Sequence, residues 1–274
     1  MAGTRPQELL DFYREAGVDA LLGEEPVDRF AADDPPPLAR AAMPAPLPSA
    51  IPASLEIKGR AATPSAAPPP AADEAAMAAR EAAKSAKSLD ELRAILEKFD
   101  GCALKATATR LVFADGNPQA KLMFVGEAPG RDEDIEGLPF VGRSGKLLDR
   151  MLAAIGLDRG QVYIANIVPW RPPGNRTPTP QEQQICLPFI LRQIELADPD
   201  VLVCLGGPSA QALLGIRDGI TKTRGRWFTF NTGKREIRAL ATFHPAFLLR
   251  SPLQKRFAWR DFLSIKKALA TGAA

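Results

Sequence analysis

Residues 122–130 read LMFVGEAPG, and the fold turns on this stretch. Leu122 to Val125 is a short, unbroken apolar run, as expected of a strand covered on both faces, and it leads straight into a Gly-Glu-Ala-Pro-Gly turn. Further apolar runs follow at Val162–Val168, Val201–Leu205 and Ile237–Phe243. Helical patterns lie between them: Gly145–Ile155, with Leu147, Leu148, Met151, Leu152 and Ile155 at helical spacing, then Thr179–Leu196 and Pro208–Leu214. Thr179-Pro180-Gln181-Glu182 supplies an N-cap, a proline at the first helical position and a glutamate three residues after the cap. Strands alternating with helices predict an α/β fold, a three-layer α/β/α sandwich with a mainly parallel central sheet of about four strands. Ligands bind such sheets at the carboxyl ends of the strands.

Upstream, Ser88-Leu89-Asp90-Glu91 marks a second helix start, with Leu92, Ile95, Leu96 and Phe99 on one face and an end near Gly101. An Ala-rich helix is expected from about Asp73. Before it, residues 31–72 hold 11 Pro and 14 Ala with no aromatic residue, a composition expected to stay a disordered linker. Residues 1–30 form an N-terminal amphipathic segment, with Leu9, Leu10, Phe12, Tyr13, Val18, Leu21 and Leu22 near helical spacing. Docking back, binding a protein partner, or no role at all stay open for it. The globular domain is therefore expected over 73–274.

The 274 residues contain one His and three Cys, too few for a disulfide framework or a zinc enzyme, which argues for a reducing compartment. No stretch nears about 18 consecutive apolar residues, and the N-terminus mixes charges with Leu, so neither membrane span nor signal peptide is expected. A soluble, cytoplasmic, monomeric protein is the expectation. The net charge of +3 hides a gradient: residues 221–274 carry 12 Lys and Arg against 2 Asp and Glu, a formal +10. Trp227, Phe243, Phe247, Phe257 and Trp259 are interleaved with these cations, a pattern that favours a polyanion over a merely solvated face.

The candidate site residues stand at the ends of the apolar runs. Gly126 and Gly130 allow close backbone approach, and Glu127, directly after a buried strand, can be held rigidly over a cleft. Asp132, Glu133 and Asp134 follow as weaker candidates or as surface charge. Asn166 ends the second run and offers donor and acceptor together, suited either to a satisfied interior amide or to reading the edge of a base. The lone His of the chain, His244, ends the fourth run inside the basic segment.

GEAPG at 126–130, LPFVG at 138–142, the strand ending in Asn166, RPPGNR at 171–176 and HPAFLLR at 244–250 together resemble the uracil-DNA glycosylase superfamily, closest to its family four. The likeness covers about Cys102 to Ala268. It implies a DNA repair enzyme, a monofunctional hydrolase of N-glycosyl bonds that flips deoxyuridine out of the stack and leaves an abasic site. Phe140 would stack on the uracil, Asn166 would read N3–H and O4, and His244 would donate to O2 as negative charge develops there. Glu127 would orient water or stabilise the sugar cation, and backbone groups of Gly126, Ala128 and Gly130 would line the pocket. Leu248, Leu249 and Arg250 match the place where relatives fill the gap left by the flipped base, with Lys255, Arg256 and Arg260 serving phosphates.

One departure stands out. The family usually carries four Cys for a four-iron four-sulfur cluster. Cys102 and Cys186 match two of those places, but Phe99 and Trp170 occupy the others, so no cluster and no metal are expected. Cys204, inside the third run, reads as a small core residue. Uracil-containing DNA is the expected partner. A sister enzyme for hypoxanthine or xanthine, and a non-catalytic damage-binding protein, remain the alternatives.

Overall fold

The computed structural model describes residues 72–271, and the four apolar runs form the parallel centre of its sheet. The segment 1–30 and nearly all of the linker 31–72 lie outside the described residues. In chain order the elements are α1 (Ala72–Ser85), α2 (Leu89–Lys98), β1 (Asp115–Gly116), β2 (Leu122–Gly126), α3 (Arg131–Glu136), α4 (Arg143–Ala154), β3 (Tyr163–Asn166), α5 (Pro180–Ala197), β4 (Val201–Leu205), α6 (Gly207–Leu214), α7 (Ile220–Thr223), β5 (Trp227–Asn231), β6 (Glu236–Thr242), α8 (Pro245–Arg250) and α9 (Lys255–Ala270).

The strand order is β1-β3-β2-β4-β6-β5. β3, β2, β4 and β6 run parallel, and β1 and β5 close the two edges antiparallel. The sheet therefore has six strands rather than about four. The two extra ones escape the apolar-run criterion for a physical reason: β1 is two residues long, and β5, Trp-Phe-Thr-Phe-Asn, is an edge strand that buries only Phe230.

Side chains alternate across each strand, and this alternation builds the two outer layers. Met123, Val125, Tyr163, Ala165, Leu202, Cys204, Ala239 and Ala241 face one side, where they pack with Ala79, Leu92, Leu96, Phe189, Ile190, Ile194 and Ala210 of α1, α2, α5 and α6. Leu122, Phe124, Ile164, Val201, Val203, Leu205 and Leu240 face the other, against Leu148 and Leu152 of α4 and Phe262 and Ile265 of α9. Each fully buried Leu, Ile or Phe contributes about 1.5–3 kcal/mol. Both helix starts read from the sequence are capped: Thr179 Oγ1 accepts from Glu182 N while the Glu182 carboxylate accepts from Thr179 N, and Ser88 Oγ accepts from Glu91 N. No helix among the described residues is long and apolar enough to cross a membrane.

α9 is tied to the sheet by a buried charge. Asp261, 1% exposed, accepts from Thr242 Oγ1 (2.6 Å) at the end of β6 and from the Arg224 guanidinium. Burial pushes its carboxyl above the usual range, while Arg224 and Thr242 pull it back down. Removing the cation strands a buried carboxylate, so Arg224→Met is expected to cost about 3–5 kcal/mol at neutral pH. Because protonation of Asp261 relieves that charge, the deficit shrinks as pH falls through the raised pKa. Denaturant melts of wild type and variant between pH 4.5 and 7.5 check this; a pH-independent deficit contradicts it.

Candidate active site

The chain leaves β2 towards β3 on one side of the sheet and later returns to place β4 on the other, so the strand order reverses at β2. A crevice forms at such a reversal, at the carboxyl ends of the strands. Here it is a cleft of about 560 Å³ that receives Glu127 from the end of β2, Asn166 from β3, Leu205 and Gly206 from β4 and His244 from just beyond β6. Ala128, Gly130, Phe140 and Arg250 line it too.

The backbone at these ends is pinned by its neighbours: Ile167 N donates to Gly126 O and Val168 N to Glu127 O, both at 3.0 Å. Two side-chain oxygens held there, Glu127 Oε1 and Asn166 Oδ1, are buried and have no hydrogen-bond partner among the described residues. Burial alone pushes the Glu127 carboxyl above its usual pKa. Gly126 is where lack of a side chain matters. A Cβ there would lie 2.4 Å from Asn166 Oδ1 and 2.7 Å from Phe140 Cζ, so the amide and the ring converge on the space it vacates.

Phe140 is 4% exposed and adopts φ 55°, a left-handed conformation that costs a residue with a side chain about 1–3 kcal/mol. Its ring lies 5.4 Å from that of His244, centroid to centroid, with 31° between the planes. His244 caps α8: its Nδ1 accepts from Ala246 N at 3.1 Å, which leaves the proton of the neutral imidazole on Nε2. Burial, and then the positive charge of Arg250, lower its pKa to about 4. The imidazole is thus a neutral donor at physiological pH.

The other carboxylates have occupations of their own. Glu133 accepts from Gly130 N (3.1 Å) and Gly142 N (3.0 Å), and Asp134 from Thr109 N, Thr109 Oγ1 and Arg110 N. Asp132 is exposed. Glu127 is the carboxylate among these with an unpaired oxygen buried at the cleft.

Beyond His244 the expected DNA face divides. Leu248, expected on the DNA side, is fully buried against Phe243 and Ala258 and holds α8 down instead of standing at the surface. Leu249 (37% exposed) and Arg250 stand at the surface, Arg250 lining the cleft, and Lys255, Arg256 and Arg260 are exposed. Leu253, at the tip of the Pro252–Gln254 turn, is 83% exposed, yet the sequence reading passed over it. A Ser-Pro-Leu stretch between two helical patterns is the signal that could have found it. From the RPPGNR segment, Asn175 and Arg176 also line the cleft, and Arg176 is paired to Glu182. Not all of the basic excess faces outwards: Arg224 is spent on Asp261, and Arg235 on Asp198 and Asp200.

Cys102 and Cys186 are buried with their sulfurs 3.9 Å apart. The contact with Cys102, together with burial, keeps the Cys186 thiol protonated. Trp170 is 2% exposed beside them, and the Phe99 ring packs edge-on to Phe189 at 5.0 Å and lies over Gly101. Cys204 is a wholly buried strand residue, its thiol pushed up to about 12 by burial.

The sequence profile of the Uracil DNA glycosylase superfamily matches residues 113–263, and the chain belongs to that superfamily. Relatives described as type-4 uracil-DNA glycosylases include those of Archaeoglobus fulgidus (41% identical, covering 65% of this chain and 92% of the relative), Thermotoga maritima (45%, covering 57% and 80%) and Sulfurisphaera tokodaii (39%, covering 67% and 86%).

Because His244 is the lone His of the chain, its ring signals are unambiguous in an NMR titration. They are expected to titrate near pH 4, with Nδ1 the unprotonated nitrogen above that. Between about 4 and the ordinary 6.5 the unfolded chain binds more protons at this residue than the folded one, so stability falls as pH falls through that window. An imidazole titrating near 6.5 contradicts the desolvated site.

Proposed function

We propose that the protein is a monofunctional uracil-DNA glycosylase that flips deoxyuridine into the cleft and hydrolyses its N-glycosidic bond, leaving an abasic site in DNA. The observation that carries this reading is the unpartnered, buried Asn166 Oδ1 beside the Phe140 ring. Uracil stacked on Phe140 presents N3–H to that oxygen and O4 to the amide NH₂. Cytosine presents an acceptor and a donor in the reverse order, and a buried amide left mismatched disfavours it.

As the bond to the sugar stretches, negative charge gathers on the base. The neutral His244 donates from Nε2 to O2, and being uncharged beforehand it needs no counter-ion in the cleft. Glu127, with one oxygen unclaimed, holds the attacking water or faces the cation-like sugar. Backbone groups of Gly126, Ala128 and Gly130 form the wall of the base pocket. Leu249 and Arg250, with Leu253 nearby in the chain, occupy the vacated stack. Lys255, Arg256 and Arg260 bind phosphates, contacts that position without reading sequence.

The donor set at the cysteine corner does not fit a four-iron four-sulfur cluster. Such a cluster needs about four ligands, and here two thiols stand in an apolar cluster that also holds Trp170 and packs against Phe99. The glycosylase acts without it. Iron and acid-labile sulfide assays on protein purified without oxygen are expected to find neither; about four irons per chain overturns this part of the reading.

The decisive experiment measures excision from oligonucleotides containing a single uracil, hypoxanthine or xanthine, by wild type, His244→Ala and Asn166→Asp. Uracil excision is expected for wild type, with kcat/KM lowered about 10²–10³-fold by either substitution. Preference for another base, or unchanged uracil excision and specificity in Asn166→Asp, contradicts the proposal.

A further inference from the structure

We propose that Arg159, which lies outside the cleft lining, is a positioning residue for excision and acts through Phe140; this rests on the reading of Phe140 as the platform for the flipped base. Arg159 opens the short turn Arg159–Gln161 that leads into β3. Its guanidinium donates from Nε to Asp149 Oδ1 of α4 (2.8 Å) and from Nη1 to the Asp115 carboxylate of β1. It also donates from Nη1 to Pro139 O (3.2 Å) and from Nη2 to Phe140 O.

Those two carbonyls belong to the peptide planes on either side of Phe140. The Pro139 carbonyl sets the plane about which φ of Phe140 turns, and the Phe140 carbonyl sets the plane about which ψ turns. One rigid, planar cation therefore holds both dihedrals of a residue kept at φ 55°, where an unsupported side-chain-bearing residue rarely stays. The two carboxylates behind it hold the fork in place.

The surroundings leave the segment little choice. A Cβ at Gly145 would lie 1.6 Å from Phe140 O, so α4 can approach this carbonyl only through a glycine. On the far side Glu133 links Gly142 N to Gly130 N, coupling the Phe140 segment to the loop that carries Glu127. The ring that must meet the base face-on is thus aimed by backbone contacts that never touch the base, and its aim depends on Arg159.

A double-mutant cycle with Phe140 tests this. Arg159→Lys keeps a charge for Asp115 and Asp149, but an ammonium cannot span two carboxylates and two carbonyls. It is expected to melt close to wild type and to lose roughly ten- to a hundredfold in kcat/KM on a uracil oligonucleotide. Phe140→Ala is expected to lose at least as much, and adding Arg159→Lys to it should cost nothing further, because the platform being aimed is gone. Wild-type excision by Arg159→Lys, or losses that multiply in the double variant, overturns the role of Arg159 alone. Wild-type excision by Phe140→Ala removes the platform itself and the proposal with it. Should Arg159→Lys melt below the assay temperature, Asp149→Asn, which loosens the guanidinium from behind, takes its place in the same cycle with the same expected non-additivity.

Discussion

Glu127 Oε1 and Asn166 Oδ1 are taken out of water at the ends of adjacent parallel strands without a hydrogen-bond partner among the described residues, at a cost of about 1–3 kcal/mol for each such oxygen. A flexible loop would relieve this by turning the groups outwards. These cannot turn, because the strands that carry them are buried on both faces and continue their ladder through Ile167 N and Val168 N past the last strand residue. The two-layered apolar packing of Phe124, Ile164, Val203 and Leu240 on one side, and of Met123, Ala165 and Cys204 on the other, thus maintains two unmet acceptors in one cleft. In the proposed reaction that unmet capacity is the binding site.

The same burial sets the charge states of the cleft. It pushes the Glu127 carboxyl up and the His244 imidazole down, so both groups lean towards neutrality before substrate enters. Arg250, which lines the cleft, lowers His244 further by its charge. The basic C-terminal region consequently does two separate jobs. Arg224 and Arg235 hold the domain together through Asp261, Asp198 and Asp200, and the exposed Lys255, Arg256 and Arg260 remain available to a polyanion.

The cysteine corner is, in the structure, an apolar one. Trp170 is buried there and Phe99 packs against the same cluster, and one large aromatic buries about 150–250 Å². Cys102 and Cys186 remain as buried neighbours in the same apolar cluster as Leu96, Phe189 and Ile190. Packing of this kind anchors α2 and α5 to the sheet.

Much of this was legible in the chain itself. Continuous apolar runs announced the four parallel strands because such strands are covered on both faces, and capping residues announced α2 and α5 because helix ends must satisfy their own amides. Glu127, Asn166 and His244 stood out because strand ends are where rigid side chains meet a ligand. The edge strands β1 and β5 were not legible, since one is too short and the other too exposed to carry a pattern. Nor did the chain separate Leu248 from Leu249: neighbours in HPAFLLR differ only in which side of α8 meets Phe243 and Ala258. Arg159, and the backbone partners of Glu133, were invisible for a related reason. The partners of both side chains lie 9 to 44 residues away, except for Gly130, and are mostly backbone atoms, which every sequence possesses. Local pattern determined the elements and the residues at their ends; only tertiary packing decided which of those residues lost water and which backbone groups a distant side chain would hold.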